Sequence, residues 1–465
     1  MSSTGTRPGV ADHEAVWRIA WPMIVSNLSV PLLGLVDAAI LGHLPDPRYL
    51  GAVAVATSLF GFLYWGFGFL RMGTTGLVAQ RSGTAAPSAA ERLGRDGALR
   101  LLAAQSVLLA LAIAALVVVA APWLFPLGLS LMGAPPEIAT EAERYFVIRL
   151  GSAPAVLVTY ALTGLLVGLQ DTRAVLVVMV ATNVVNIVLD VLFVPVLGLR
   201  TEGVATATLI AEWLGCGVAL LAARRRLATH PAPLDLRALG RLERYRELLA
   251  VNGHLFVRTL ALLAALAFFT AQGARQGAAV LAANALLVNL LMTTSYGLDG
   301  FAHAAEALTG RHYGARDGAA FARTLRSALL FCVLTACGFT MLFAFAGDVL
   351  LGLLTDLAEV RALAGAYLPW LALLPLIAVW CFLFDGVAIG LTATREMRDS
   401  MLISALLVYL PLWWLTRPLG NTGLWLALVA FFAARGLTLG LWLAAGQRRG
   451  RFFPTDQSPL FFGRG

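Results

Sequence analysis

The chain reads as an all-α polytopic membrane protein, with about twelve transmembrane helices in two pseudo-symmetric six-helix bundles. Three observations predict this. Of 465 residues, 59% are hydrophobic and only 13% charged, where a soluble domain carries about 25% charged residues. The apolar residues fall into about twelve runs long enough to cross a bilayer. The second half repeats motifs of the first at offsets of 220–222 residues.

In order, the runs lie near 15–43, 50–80, 96–121, 138–168, 173–197, 203–224, 246–270, 277–309, 320–346, 359–391, 397–416 and 422–446. Several exceed the minimum span, which predicts tilt or extension beyond the bilayer. All the positive side-chain charge comes from Arg, because the sequence contains no Lys. The connections alternate in it. One set carries Arg81, Arg92 and Arg95, then Arg173, Arg224–Arg226 with Arg237, Arg241, Arg244 and Arg246, then Arg311 and Arg316, Arg395 and Arg398, and the tail Arg448, Arg449 and Arg451. The other set holds at most one Arg per connection. The positive-inside rule then puts both termini and the 225–245 loop in the cytoplasm. The net charge of +8 is therefore a topology signal and gives no reason to invoke nucleic acid. Residues 1–14 are polar and the first run is too long for the apolar core of a cleavable signal peptide. Cys216, Cys332, Cys337 and Cys381 lie inside apolar runs without a CxxC spacing, which suits packing and not disulfides or zinc.

The repeat is specific. Gly164-x-x-x-Gly168-Leu169-x-x-Thr172-Arg173 returns as Gly386-x-x-x-Gly390-Leu391-x-x-Thr394-Arg395, and Tyr145 returns as Tyr367, all at an offset of 222. Arg95-Asp96-Gly97-Ala98 returns as Arg316-Asp317-Gly318-Ala319, and Gly203 as Gly423. With an even number of spans per half, both halves enter the membrane from the same side, so the repeat is parallel. Each GxxxG predicts a close helix contact. The division is an N-terminal lobe at 1–225, a linker at 226–245 and a C-terminal lobe at 246–465.

The polar residues inside these runs are the candidates for function. Asn183, Asn186 and Asp190 follow one another at spacings of three and four, on one helix face. An ionisable residue in lipid is expensive and marks an ion or substrate route. Asp190 lies roughly 10 Å below the end of its run at 1.5 Å per residue. Thr208 in the next run and Asp37 in the first lie at the same depth from the outer side, with Asn186 one turn deeper. Two close carboxylates in a low dielectric do not both stay ionised without a counter-charge, so such a pair takes up a proton or a monovalent cation. Asp37, Asn186, Asp190 and Thr208 are hard oxygen ligands that also suit Na⁺; no other metal site is expected. The structural alternatives are that the Asn residues are polar glue between helices and that Asp37 is capped by backbone amides. Pro22 and Pro31 each remove a helix hydrogen bond and predict a bend. Glu212, one turn on from Thr208, either belongs to a cavity or is the buried partner of an Arg or Asn.

The second half differs. Arg258 and Asp299 share a depth, which predicts a structural ion pair. His303 and Glu306 have a His-x-x-Glu spacing but no second half-site, so no metal is expected. Asp385 precedes the repeated Gly386 and either caps a substrate path or holds the Arg-rich edge. HExxH, Walker A, GxSxG and paired CxxC signatures are missing, so neither an enzyme nor an ATP-driven machine is expected.

Together these residues resemble the multidrug and toxic compound extrusion (MATE) family. Phe384-Asp385-Gly386-Val387-Ala388-Ile389-Gly390 with Glu396-Met397-Arg398, Phe256-Val257-Arg258-Thr259-Leu260-Ala261 and Asp299-Gly300-Phe301-Ala302-His303-Ala304-Ala305-Glu306 resemble its DNA-damage-inducible F (DinF) branch. The resemblance covers nearly the whole chain. It implies cation-coupled export of organic, often cationic, amphiphilic compounds from a central cavity that opens alternately to each side. It implies coupling at the first-lobe carboxylates, with a first-span kink that maps to Pro22. This chain departs from some relatives at Leu33, where they place a cavity Tyr, and at Thr163, where they place an Asn. The expectation is a monomeric exporter of the bacterial inner membrane without a cofactor. Asp37 and Asp190 bind the ion, Asn186 and Thr208 complete that site, and Asn183, Thr163 and Glu212 are cavity candidates. H⁺ is favoured over Na⁺, because two carboxylates can share a proton with no fixed ligand geometry. The rivals are a lipid-linked oligosaccharide flippase of the same superfamily and, from other classes, a membrane enzyme or channel.

Overall fold

The computed structural model describes residues 8–42, 46–132 and 135–453. Nearly all of them are helical, and among them there is no strand. In order the helices are α1 Val10–Gly42, α2 Pro47–Gly66, α3 Phe69–Gly83, α4 Ala89–Met132, α5 Pro136–Leu150, α6 Ala153–Gly168, α7 Thr172–Val191, α8 Thr201–Ala228 and α9 Leu236–Leu239. Then come α10 Arg246–Ala274, α11 Ala278–Gly314, α12 Gly318–Leu354, α13 Ala358–Gly390, α14 Thr394–Ile403, α15 Leu410–Thr416 and α16 Asn421–Arg448. Among the described residues ten stretches are helical, long and apolar enough to cross a membrane, and an eleventh is the bent pair α5–α6. With α1, a further helix of 33 residues, they match the twelve runs of the sequence in order, and several extend well beyond them, as Ala89–Ser130 does with 42 residues. The chain is an all-α polytopic membrane protein.

The breaks have local causes. α5 and α6 meet at 51°. Pro154, in the first turn of α6, has no N–H to give to the carbonyl four residues back. At the same bend Trp213 Nε1 donates to the Gly151 carbonyl at 3.1 Å. In the fifth span of each half the helix widens into a π turn, at Leu192–Val196 and at Ser404–Tyr409. Pro195 lies inside the first and Pro411 two residues beyond the second. Two helix starts show the side-chain caps their sequences dictate. Ser88 and Glu91 exchange backbone-to-side-chain bonds of 3.1 and 3.2 Å before α4, and Asp317 accepts from Ala320 N at 2.9 Å before α12.

The repeated GxxxG motifs perform the same packing twice. A Cβ at Gly164 would strike the carbonyl of Arg71 on α3, and one at Gly168 would stand 2.8 Å from Cβ of Val78. In the second half, a Cβ at Gly386 would strike the carbonyl of Ala302 on α11, and one at Gly390 would lie 2.7 Å from that of Glu306. Both helices then end identically. Gln170 and Thr392 adopt φ of +62° and +52°. Asp171 N donates to Leu166 O at 2.8 Å, and Ala393 N to Ala388 O at 2.7 Å. This is the Schellman closure, built without the usual glycine at its left-handed position.

The chain divides into two compact units, residues 25–78 with 86–249, and residues 1–24 and 79–85 with 250–465. In the first, the 225–245 segment is packed down. Arg100 on α4 donates to the carbonyls of His230 and Leu227 at 2.8 and 3.0 Å. His230 Nδ1 lies 3.1 Å from Asp96 Oδ1, and Gln105 donates to Arg244 O at 3.3 Å. The second unit has a dense aromatic core, with Trp425, Phe431, Phe269, Phe343 and Tyr409 all buried. At its edge Asn284 and Asn421 bond to each other reciprocally at 2.8 and 3.0 Å, and Trp425 Nε1 donates to Asn284 Oδ1 at 2.9 Å.

Candidate functional site

α7 carries the polar face that the sequence predicts. Asn186 and Asp190 are buried, at 1% and 0% exposure. Asn186 Nδ2 donates to Thr208 Oγ1 on α8 at 3.3 Å, and Thr208 donates in turn to Val204 O at 2.9 Å. Among the described residues nothing donates to Asn186 Oδ1. An unsatisfied buried carbonyl is costly, so this oxygen is available to a proton donor or a cation. Asp190 lies one turn along the same face, two residues before the π turn at Leu192. Such turns are rare and recur at functional positions.

A second contact sets the register of α1 against α7. Asn183 Nδ2 donates to Ser29 Oγ at 2.8 Å. From that bond, Asp37 lies eight residues further along α1 and Asp190 seven along α7, rises of roughly 12 and 10 Å. The side chain of Asp37 lies outside the described residues. Thr163 is buried in α6, beside Gly164.

Glu212 is held elsewhere. Arg149 on α5 donates to its Oε1 at 2.7 Å, and Arg149 also lies over the ring of Phe60 and reaches Tyr145 Oη at 3.3 Å. This buried Arg was legible in the sequence as a cation at the midpoint of the fourth run, but only the fold identifies its partner.

In the second unit, equal depth predicts Asp299 opposite Arg258. The structure seats Asp385 on Arg258 and adds Arg435, whose Nη2 donates to the same Asp385 oxygen at 2.9 Å. Asp299 belongs to the surroundings, close enough to act electrostatically on Arg435 and Cys381. Depth alone does not set the direction in which a helix faces, which is why it could not single out Asp385. Arg435 was not singled out from sequence; its signal is a lone Arg between Phe431 and Leu443 in the last apolar run. His303 Nδ1 lies 3.3 Å from Glu306 Oε2, and among the described residues no third His, Cys, Asp or Glu joins them as a metal set.

This geometry, a bundle of membrane-length helices with a fully buried carboxylate, Asp190, one turn from a bonded amide and hydroxyl, fits a membrane transporter. Residues 22–192 and 256–415 match the MatE family model, and the chain belongs to that family of multidrug and toxic compound extrusion transporters. It is 41% identical over 444 residues, 95% of this chain and 94% of the other, to DNA damage-inducible protein F of Escherichia coli K12. It is 27% identical to a probable multidrug resistance protein NorM of Caulobacter vibrioides, over 93% of this chain and 91% of that one. In fold it resembles the Vibrio cholerae MATE transporter VcmN in the bent form, with a TM-score of 0.82 at 21% identity over 95% of this chain and 99% of that one.

Proposed function

We propose that this chain is a cation-coupled antiporter that exports organic, cationic amphiphilic compounds across the inner membrane by alternating access, as a monomer with both termini in the cytoplasm. One observation carries the reading. A fully buried carboxylate, Asp190, lies one turn from an amide whose own partner, Thr208, is neutral. A carboxylate so placed gains by taking up H⁺ or Na⁺, and its affinity changes when the helices around it move. That differential affinity is what lets an ion gradient drive a conformational cycle. The sequence places Asp37 at the depth of Asp190, and we assign the ion to this pair, with H⁺ favoured. Asn183 and Thr163 are assigned to the cavity. The lobes of the cycle are residues 1–225 and 246–465, joined by 226–245. A hinge at Pro22 fits the division of α1, which passes from one compact unit to the other between Ile24 and Val25.

The test is efflux of a cationic dye from proteoliposomes with an imposed pH or Na⁺ gradient. Wild type should respond to the pH gradient, and Asp190→Asn should bind dye but not respond. Gradient-driven efflux by Asp190→Asn at the wild-type rate would sink the assignment. A wild-type response to Na⁺ alone would keep the site and change the ion.

A further inference from the structure

Between α12, α13 and α16 runs an apolar groove of about 970 Å³. Trp380 and Phe384 on one side and Leu437 and Leu441 on the other form its walls. Trp380, Leu437 and Leu441 are exposed, so the groove opens sideways toward lipid. Its helices approach closely through glycines: a Cβ at Gly440 would stand 2.7 Å from the Phe384 ring, and one at Gly436 3.0 Å from Cβ of Trp380. At the end of α16 the chain reverses at Gly450, with φ of +64°. Phe452 thereby closes the groove, its ring meeting Trp442 edge to face at 5.2 Å.

That closed end is polar. Gln447 lines the groove and is 6% exposed. Among the described residues neither its Oε1 nor its Nε2 has a hydrogen-bond partner. A buried primary amide with both ends unmet is a costly arrangement unless a ligand supplies an acceptor and a donor. Beside it Arg448 also lines the groove and is exposed. Arg451 is taken by Glu396 at 3.0 Å and by the Trp442 ring. The carboxyl end of α16 contributes roughly half a negative charge, which the full charges of Arg448 and Arg449 exceed.

From these features we infer that the groove seats an anionic glycerophospholipid of the bilayer. An acyl chain lies along Trp380, Phe384, Leu437 and Leu441. The phosphate pairs with Arg448, and the ester and hydroxyl groups of the head satisfy the two ends of Gln447. A zwitterionic choline lipid fits worse, because it brings a fixed cation to Arg448 and no hydroxyl to Gln447 Oε1. The site is separate from the proposed ion site, since none of the proposed coupling residues lies on α12, α13 or α16. The topology proposed above puts the Arg448 end at the inner leaflet.

Native mass spectrometry of the delipidated full chain, titrated with phosphatidylglycerol or phosphatidylcholine, tests this. Phosphatidylglycerol should bind at least about fivefold more tightly, and Arg448→Gln should erase that preference. Gln447→Leu should weaken phosphatidylglycerol without changing phosphatidylcholine. Leu437→Trp should block both lipids; if it does not fold, the exposed Arg448→Gln carries the test. Inorganic phosphate should not compete, which separates a lipid site from a free-phosphate site. Equal affinity for the two lipids, an unchanged preference in Arg448→Gln, or displacement of the lipid by phosphate or by the transported dye would overturn the inference.

Discussion

The two halves of the molecule share a helical frame and differ in their buried charge. Gly164 and Gly168 seat α6 on α3 much as Gly386 and Gly390 seat α13 on α11. Yet the first half sets Asp190 on a face of neutral amides, with Thr208 as the bonded neighbour of Asn186. The second half sets Asp385 between two guanidinium groups, Arg258 and Arg435. A carboxylate shared by two fixed cations is neutralised by the protein itself. It holds helices α10, α13 and α16 together and has little to gain from a mobile ion. Asp190 shares its helix face with neutral amides, and the proposed function has the mobile ion taken up there. The repeat thus keeps the same close glycine packing in both halves, while the surroundings of its buried carboxylates differ.

Six substitutions can break or sharpen this contrast. The largest effect is expected at Asp190. Asp190→Asn should bring gradient-driven efflux to background with a thermal unfolding midpoint near that of wild type, because Asn retains volume and hydrogen bonding but takes up no ion. Efflux assays and melting curves on the same preparation check both halves of this statement.

Asp385→Asn should do the opposite. Leaving Arg258 and Arg435 without their carboxylate should cost about 3–5 kcal/mol, read as a lowered melting temperature and reduced folded yield. Asp299→Asn is the comparison. If it destabilises as much as Asp385→Asn, then Asp299 carries the Arg258 pair equally; if it does not, Asp385 is the anchor. An Asp385→Asn protein of wild-type stability would dissolve the contrast between the two halves.

Gly164→Ala and Gly386→Ala should destabilise to a similar extent, about 1–3 kcal/mol each by overpacking, since each new methyl meets a neighbouring helix's carbonyl. A large inequality between them would mean that the frame is not equivalent in the two halves. The smallest effect is expected from Thr208→Val. It removes the acceptor of the Asn186 amide, a loss of about 1 kcal/mol. It should raise the cation concentration needed for half-maximal efflux by less than tenfold, with a fall in stability of no more than about 1 kcal/mol.

Much of this protein was written in the order of its residues. The spans, their lengths and their repeat follow from local hydrophobicity and from glycine spacing, because a helix in lipid must satisfy its own backbone and expose apolar side chains. The shared face of Asn183, Asn186 and Asp190 follows from helical periodicity alone. The pairing of charges did not. Depth along a helix is one coordinate, counted from the sequence, but contact between helices needs a second, the direction each helix faces. Packing sets that direction through contacts such as Gly386 on Ala302 and Ser29 on Asn183. Only the tertiary structure therefore decided that Asp385 meets Arg258 and Arg435, that Glu212 meets Arg149, and that the 225–245 segment lies down on α4 through Arg100 and Asp96.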